Sequence, residues 1–173
     1  MKEQPILETT RLTMRPFSLE DASRVQELAG DRRVSEMTIN IPYPYKDGMA
    51  EQWISSHAES FANGDRVVYA VTISHSAELI GTVSLTQLTD DDGNLGYWIG
   101  FPYWGCGYCT EAAGALVDFG LSKYGLPLIY ARHLAENPAS GRVILKNGFK
   151  HVGSISIDID GSARTLEHYE KRA

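Results

Sequence analysis

Cysteine is scarce, with two residues in a chain of 173. Two thiols cannot build a disulfide framework or complete a zinc site alone, so no resident metal is expected. Long apolar runs are missing. The longest, Val67 to Ile73, is broken by Thr72 and falls far short of the ~18 residues a membrane span needs, so no membrane partner is expected. The start, Met1-Lys2-Glu3-Gln4-Pro5, has no apolar stretch of the signal-peptide kind, and a cytoplasmic location is expected. Positive charge is not in excess: 16 Lys and Arg stand against 22 Asp and Glu, a formal net charge of −6. That balance argues against broad nucleic-acid binding, which wants a basic face. Internal repeats, low-complexity tracts and linkers are absent. So are the Gly-x-Gly-x-x-Gly and glycine-loop Lys-Ser/Thr signatures of dinucleotide and P-loop sites.

What remains fits one globular domain over residues 1–173. The chain is 43 % hydrophobic and 22 % charged, enough for a core without staples. Thr10 to Phe17 alternates like a strand, and Ser18 with Asp21 forms an imperfect capping box ahead of a helix through Val25 and Leu28. Ile39 to Asp47, with Pro42 and Pro44, reads as a loop, and Met49 to Phe61 as a second helix. Arg66–Ser74 and Glu78–Gln87 read as strands. The run Asp90 to Asn94 reads as a hairpin turn into a strand over Leu95–Ile99. Tyr108–Tyr124 reads as a helix and Leu128–His133 as a strand. Asn137–Asn147 is a helix with Asn137 as N-cap, Pro138 in its first turn and Asn147-Gly148 at its end. Phe149–Ile159 and Ala163–Glu170 close the chain as a strand pair. Strand pairs mixed with strand–helix–strand crossovers imply an α+β domain with a mixed sheet.

The most informative stretch is Tyr97 to Ala112. An apolar strand enters a loop holding Gly100, Gly105 and Gly107, and a helix begins at once. Such a junction gathers unpaired backbone N–H groups at the positive end of a helix dipole, and glycine lets a ligand approach the backbone. It can bind phosphate, or it can be a plain glycine-rich connection.

The ordered set Leu7-Glu8-Thr9-Thr10-Arg11-Leu12, Pro42-Tyr43-Pro44-Tyr45, Trp53-Ile54, Leu95-Gly96-Tyr97-Trp98-Ile99, Trp104-Gly105-Cys106-Gly107-Tyr108-Cys109-Thr110-Glu111-Ala112, Asn137-Pro138-Ala139-Ser140 and Asn147-Gly148-Phe149 resembles the GNAT superfamily of N-acetyltransferases. Within it the chain is similar to the branch that acetylates ribosomal-protein N-termini (RimJ/RimL-like). The resemblance implies a GNAT fold: a central mixed, mostly antiparallel sheet of about seven strands with about four helices, splayed at the acetyl-CoA site. It implies that backbone N–H groups of Trp104, Gly105, Cys106, Gly107, Tyr108, Cys109 and Thr110 hold the pyrophosphate of acetyl-CoA. At the family's polar loop position this chain has Trp104, and at a small-residue position Cys109. Trp98, Ile99 and Gly100 become the backbone candidates for polarising the thioester and pairing with the pantetheine arm. Asn137 matches a position that binds the pantetheine amide, and Ser140 one that protonates the departing thiolate. Arg142 and Lys146 stand where they could meet the adenosine end.

The implied reaction is direct attack of a primary amine in a ternary complex, so the amine must be neutral. At pH 7 roughly a tenth of an α-amine is neutral, against ~0.04 % of a lysine amine. Asn94 stands where relatives carry a basic Glu, and Glu36, Glu51 and His57 lie in the acceptor region; no general base is singled out. A ribosomal-protein N-terminus, an amino acid, a polyamine and an antibiotic all fit as acceptor, and the overall acidity favours a basic one. Monomer and homodimer are both open. Two rival readings are a thiol–disulfide oxidoreductase using Cys106 and Cys109, spaced C-x-x-C at a helix start, and a non-catalytic acyl-CoA sensor.

Overall fold

A computed structural model describes residues 3–173; Met1 and Lys2, which begin the N-terminal stretch read above, lie outside the described residues. The strands are β1 (Leu7–Glu8), β2 (Leu12–Arg15), β3 (Val67–Ile73), β4 (Leu79–Thr86), β5 (Asp92–Ile99), β6 (Leu128–Leu134), β7 (Lys150–Ile159) and β8 (Ser162–Arg172). The helices are α1 (Ala22–Ala29), α2 (Arg32–Glu36), α3 (Met49–Ser55), α4 (His57–Asn63), α5 (Tyr108–Phe119) and α6 (Pro138–Lys146). All eight strands form one sheet in the order β1-β2-β3-β4-β5-β6-β8-β7. It is mixed: β5 pairs with β6 in parallel and the other neighbours are antiparallel. The GNAT architecture expected from the resemblance is present. Among the described residues no helix is long and apolar enough to cross a membrane.

Each sheet face has its own helical cover. On one face Leu12, Met14, Tyr69, Val83, Leu85 and Ile99 pack with Ala113, Leu116 and Val117 of α5 and Ile144 of α6. Leu116 and Val117 are fully buried, each contributing about 1.5–3 kcal/mol by leaving water. On the other face Val25 and Leu28 of α1 with Ala50 and Ile54 of α3 cover Ala70 and Leu79, and Phe17, Trp53 and Trp98 border this second cluster.

Local chemistry moves three boundaries. The helix expected over Met49–Phe61 is two, because the Ser56 hydroxyl donates to the Trp53 carbonyl at 2.8 Å and draws the backbone out of register. The turn after β4 is shorter than read, since Asp92 and Gly93 already pair with Leu128 and Ile129. Helix α2 was not foreseen; Asp31 caps it by accepting the Arg33 N–H at 2.9 Å. The capping box ahead of α1 is made, the Ser18 N–H donating to Asp21 at 2.9 Å.

The sheet splits in its middle. β5 pairs with β6 only from Asp92 to Leu95, while it stays on β4 up to Ile99. Beyond Ala131, β6 follows β8 instead, through Leu134 opposite Leu166. A wedge-shaped gap therefore opens beside Gly96 to Ile99, as the resemblance implied.

Candidate active site

The gap leads to the glycine loop. β5 ends at Gly100, a single turn covers Phe101–Tyr103, and Gly105 and Gly107 adopt φ of +74° and +80°. A side chain at either would be strained. Gly107 caps α5 without any side-chain acceptor, so the first-turn N–H groups keep their hydrogen-bonding capacity beside the positive end of the dipole. A Cβ at Gly105 would meet nothing within 4 Å. The backbone here is open to a ligand.

A brace from the other end of the chain holds this loop. Glu111 accepts from the Thr9 hydroxyl at 2.6 Å, the Arg11 N–H at 2.9 Å and Arg11 Nε at 2.7 Å. Arg11 Nη1 donates to the Cys106 carbonyl at 2.9 Å, and its guanidinium lies 4.5 Å from the centre of the Tyr108 ring. Burial pushes the Glu111 carboxyl up, but the hydrogen bonds from Thr9 and Arg11 outweigh it and hold its pKa below the usual range. The one carboxylate in the first turn of α5 is thus neutralised. Trp104, expected among the phosphate-binding backbone groups, is not available for that role: its backbone N–H donates to the Phe101 carbonyl at 3.1 Å, closing the single turn, while its indole N–H turns onto the Ile99 carbonyl at 2.6 Å, with the Phe101 ring 5.2 Å away. Lys146 and Arg142 are exposed on α6, whose end is tied to α5 by Asn147 Nδ2 donating to the Thr110 carbonyl at 3.2 Å.

Register decides which backbone groups of β5 face the gap. The Gly100 N–H donates to the Ile80 carbonyl at 2.8 Å, towards β4. Alternation along the strand sends Trp98 the same way and turns Tyr97 and Ile99 towards the gap. Of the three backbone candidates read from sequence, only Ile99 faces the opening, and Tyr97 joins it. With its carbonyl engaged by Trp104, Ile99 presents its N–H.

Tyr97 matters through its side chain as well. Its hydroxyl lies 2.7 Å from Ser140 Oγ and 3.1 Å from the Ser140 carbonyl, two alternative acceptors for its one proton. Burial, with Cys109 adding to it, pushes the Tyr97 pKa well above that of an ordinary tyrosine. Ser140 sits in the first turn of α6. Asn137 Oδ1 accepts the Ser140 N–H at 3.2 Å, while Nδ2 donates to the Met37 carbonyl at 3.1 Å. Asn137 is therefore an N-cap and also ties α6 to the segment after α2, leaving its amide oxygen with spare accepting capacity. The two cysteines differ sharply. Cys106 is exposed; Cys109 is enclosed among apolar side chains and burial pushes its thiol up to about 12. Reactive dithiols need a lowered pKa at the attacking thiol, and the exposed Cys106 faces no activated partner in Cys109.

The acceptor-region residues scatter. Glu36 pairs with Arg32 at 2.7 Å and Glu51 is exposed on α3. Asn94 lies on β5 with Nδ2 3.4 Å from Thr86 Oγ1. His57 is 7 % exposed, its ring centre 4.4 Å from Trp53 and 5.5 Å from Phe17. Neither ring nitrogen has a partner among the described residues. Burial, reinforced by Arg66, lowers its pKa to about 4. The unfolded chain, with a value near 6.5, takes up the proton first. The stability held by neutral His57 is therefore complete above about pH 6.5 and is lost as pH falls towards 4, on the order of 3 kcal/mol. Urea midpoints should fall across that window and fall less in His57→Phe; identical pH slopes for both proteins would refute this.

Residues 11–150 match the family described as acetyltransferase (GNAT) domain. The chain is 27 % identical over 166 residues to the uncharacterized N-acetyltransferase p20 of Bacillus licheniformis, covering 94 % of this chain and 92 % of that one. Its fold superposes on a ribosomal L7/L12 alpha-N-protein acetyltransferase in complex with coenzyme A with a TM-score of 0.88, at 15 % identity and 97 % and 98 % coverage. It superposes on the spermidine N-acetyltransferase of Vibrio cholerae with a TM-score of 0.80, at 17 % identity and 95 % and 96 % coverage. The chain belongs to the GNAT family of N-acetyltransferases, enzymes that use acetyl-CoA.

Proposed function

We propose that residues 1–173 form one acetyltransferase domain that moves an acetyl group from acetyl-CoA to a primary amine by direct attack in a ternary complex. The observation that carries this reading is the gap between β5 and β6, opening onto the uncapped start of α5. Acetyl-CoA, when bound, supplies the activated acetyl thioester. The first-turn N–H groups of α5, from Tyr108 to Thr110, with Gly105, Cys106 and Gly107, hold a diphosphate without side-chain charge. Their supply of positive potential answers how a chain of net charge −6 accommodates a polyanion: the binding groups are backbone dipoles aimed at one point.

The Ile99 N–H, facing the gap, supports polarisation of the thioester carbonyl. Tyr97 offers a second N–H on the same edge. Asn137 Oδ1 supports orientation of an amide of the pantetheine arm. Ser140 Oγ, held by Tyr97, keeps a proton beside the edge of the gap. An α-amine needs no strong base at neutral pH, so a water in the gap suffices for deprotonation. Calorimetry with CoA, followed by a screen of amines for acetyl-CoA-dependent thiol release, tests the reading. Binding with turnover is expected; absence of CoA binding would sink it, and binding without turnover on any amine would favour the sensor.

A further inference from the structure

The acceptor must reach the gap from the face opposite α5 and α6. Asn94 lies opposite Tyr130, so these two side chains share a face, and alternation places Gly96, Trp98 and Arg132 on it too. Trp98 borders the α1–α3 cluster, which identifies this as the face away from α5. Arg132 is the first residue of β6 beyond its last pairing with β5. It thus stands at the apex of the gap, across from half-exposed Gly96, whose added Cβ would meet only Ser84 Oγ, at 3.2 Å.

Arg132 is exposed, and no ion pair to it exists among the described residues. It is nevertheless held. Nε donates to His168 Nδ1 at 3.0 Å, and the guanidinium lies 4.9 Å from the centre of the Tyr130 ring. Tyr130 is itself fixed by donating its hydroxyl to Gln87 at 2.6 Å. Two carboxylates share this face and both are engaged elsewhere: Glu170 lies between His168 at 3.5 Å and Arg172 at 3.6 Å, and Asp92 accepts from the Thr89 hydroxyl at 3.0 Å. With Nε occupied, Nη1 and Nη2 remain as a fork, the geometry that suits a carboxylate. A guanidinium oriented by two neighbours and left without a counter-ion beside a reaction gap calls for an anion on the incoming molecule.

We infer that Arg132 recognises a carboxylate carried by the acceptor, so that the substrate is a primary amine bearing a carboxylate group, not a polyamine. The inference rests on the transferase reading above. It reverses the expectation from overall acidity. A net charge of −6 acts at a distance and is screened within ~10 Å of solvent, whereas Arg132 acts at contact. The carboxylate can belong to a free amino acid or to an acidic residue near a peptide N-terminus; the recognition chemistry is shared.

The test uses matched acceptors: amino acids against their amides, peptides with Asp at the second position against the same peptides with Asn, and spermidine. Thiol release is measured for the wild type, Arg132→Ala and Arg132→Lys, with CoA affinity measured in parallel by calorimetry. At least one carboxylate member should exceed its amide by about tenfold or more in kcat/KM, mainly through KM, and spermidine should be the poorest. Which pair shows the preference tells the free amino acid from the peptide. Arg132→Ala should bring that ratio close to one without changing CoA affinity, and Arg132→Lys should restore part of it. An equal loss on both members of a pair would make Arg132 merely structural and overturn the inference, as would a preference for spermidine. Transfer without any preference overturns this inference alone; absence of both CoA binding and transfer overturns the transferase reading, and this inference with it.

Discussion

Replacing Gly107 by Asp should raise the dissociation constant for CoA by at least about 100-fold in calorimetry. Two effects act together. Gly107 has φ of +80°, which costs an ordinary L-residue roughly 1–2 kcal/mol, although Asp tolerates it better than most. The larger effect is charge. A carboxylate at the N-cap of α5 would fill the place where the backbone offers itself to an anion. Two unit charges about 4 Å apart repel by about 4 kcal/mol at an effective dielectric constant near 20. The new Cβ would stand 3.4 Å from Arg11 Nη2, so the carboxylate would also compete for the guanidinium that braces the Cys106 carbonyl. Gly107→Asn keeps the shape and removes the charge, and should recover most of the affinity. CoA binding by Gly107→Asp at wild-type strength would show that the anion is held elsewhere.

The parts of this site written locally in the chain are the ones that sequence makes legible. The glycine loop and the start of α5 lie within a dozen residues, and the capping sequence from Asn137 to Ser140 within four. Both elements lie where they were read. What sequence does not display is the contact between distant segments. Arg11 meets Glu111 a hundred residues away, and Asn137 meets Met37 across the same separation. No periodicity encodes either. The phase of β5 is hidden for a related reason. Whether Trp98 or Ile99 faces the gap depends on the register with β4, fixed by Ile99 lying opposite Gly81; a shift of one residue would exchange the two. Tyr97 does not stand out in the sequence because its importance lies in a partner on α6. Arg132 was invisible because an arginine in a strand announces nothing until its counter-ion is found missing. The family resemblance carried the kind of sheet and its splayed middle, with about seven strands and four helices where eight strands and six helices are found, but a register and an unpaired charge belong to this chain.

Ser140→Ala should lower kcat by about 10–100-fold while leaving CoA affinity within about twofold. The range follows from what the hydroxyl pair can do. Tyr97 holds its proton well above the pH of an ordinary tyrosine because burial penalises the phenolate, and an aliphatic thiol has a pKa near 8.5. Complete proton transfer from the pair to a thiolate is therefore uphill. Ser140 Oγ contributes instead by donating a hydrogen bond towards charge as it develops on sulfur, with Tyr97 fixing its direction at 2.7 Å. A hydrogen bond to a charged group is worth roughly 1.5–3 kcal/mol, which sets the stated range at 1.36 kcal/mol per factor of ten. Because the two hydroxyls act as one unit, Tyr97→Phe should also lower kcat, and the double variant should be scarcely worse than Ser140→Ala alone. Additive losses would mean that Tyr97 and Ser140 act separately. An unchanged kcat in Ser140→Ala would remove the pair from the chemistry, leaving the Ile99 and Tyr97 N–H groups as the only functional elements of the gap edge.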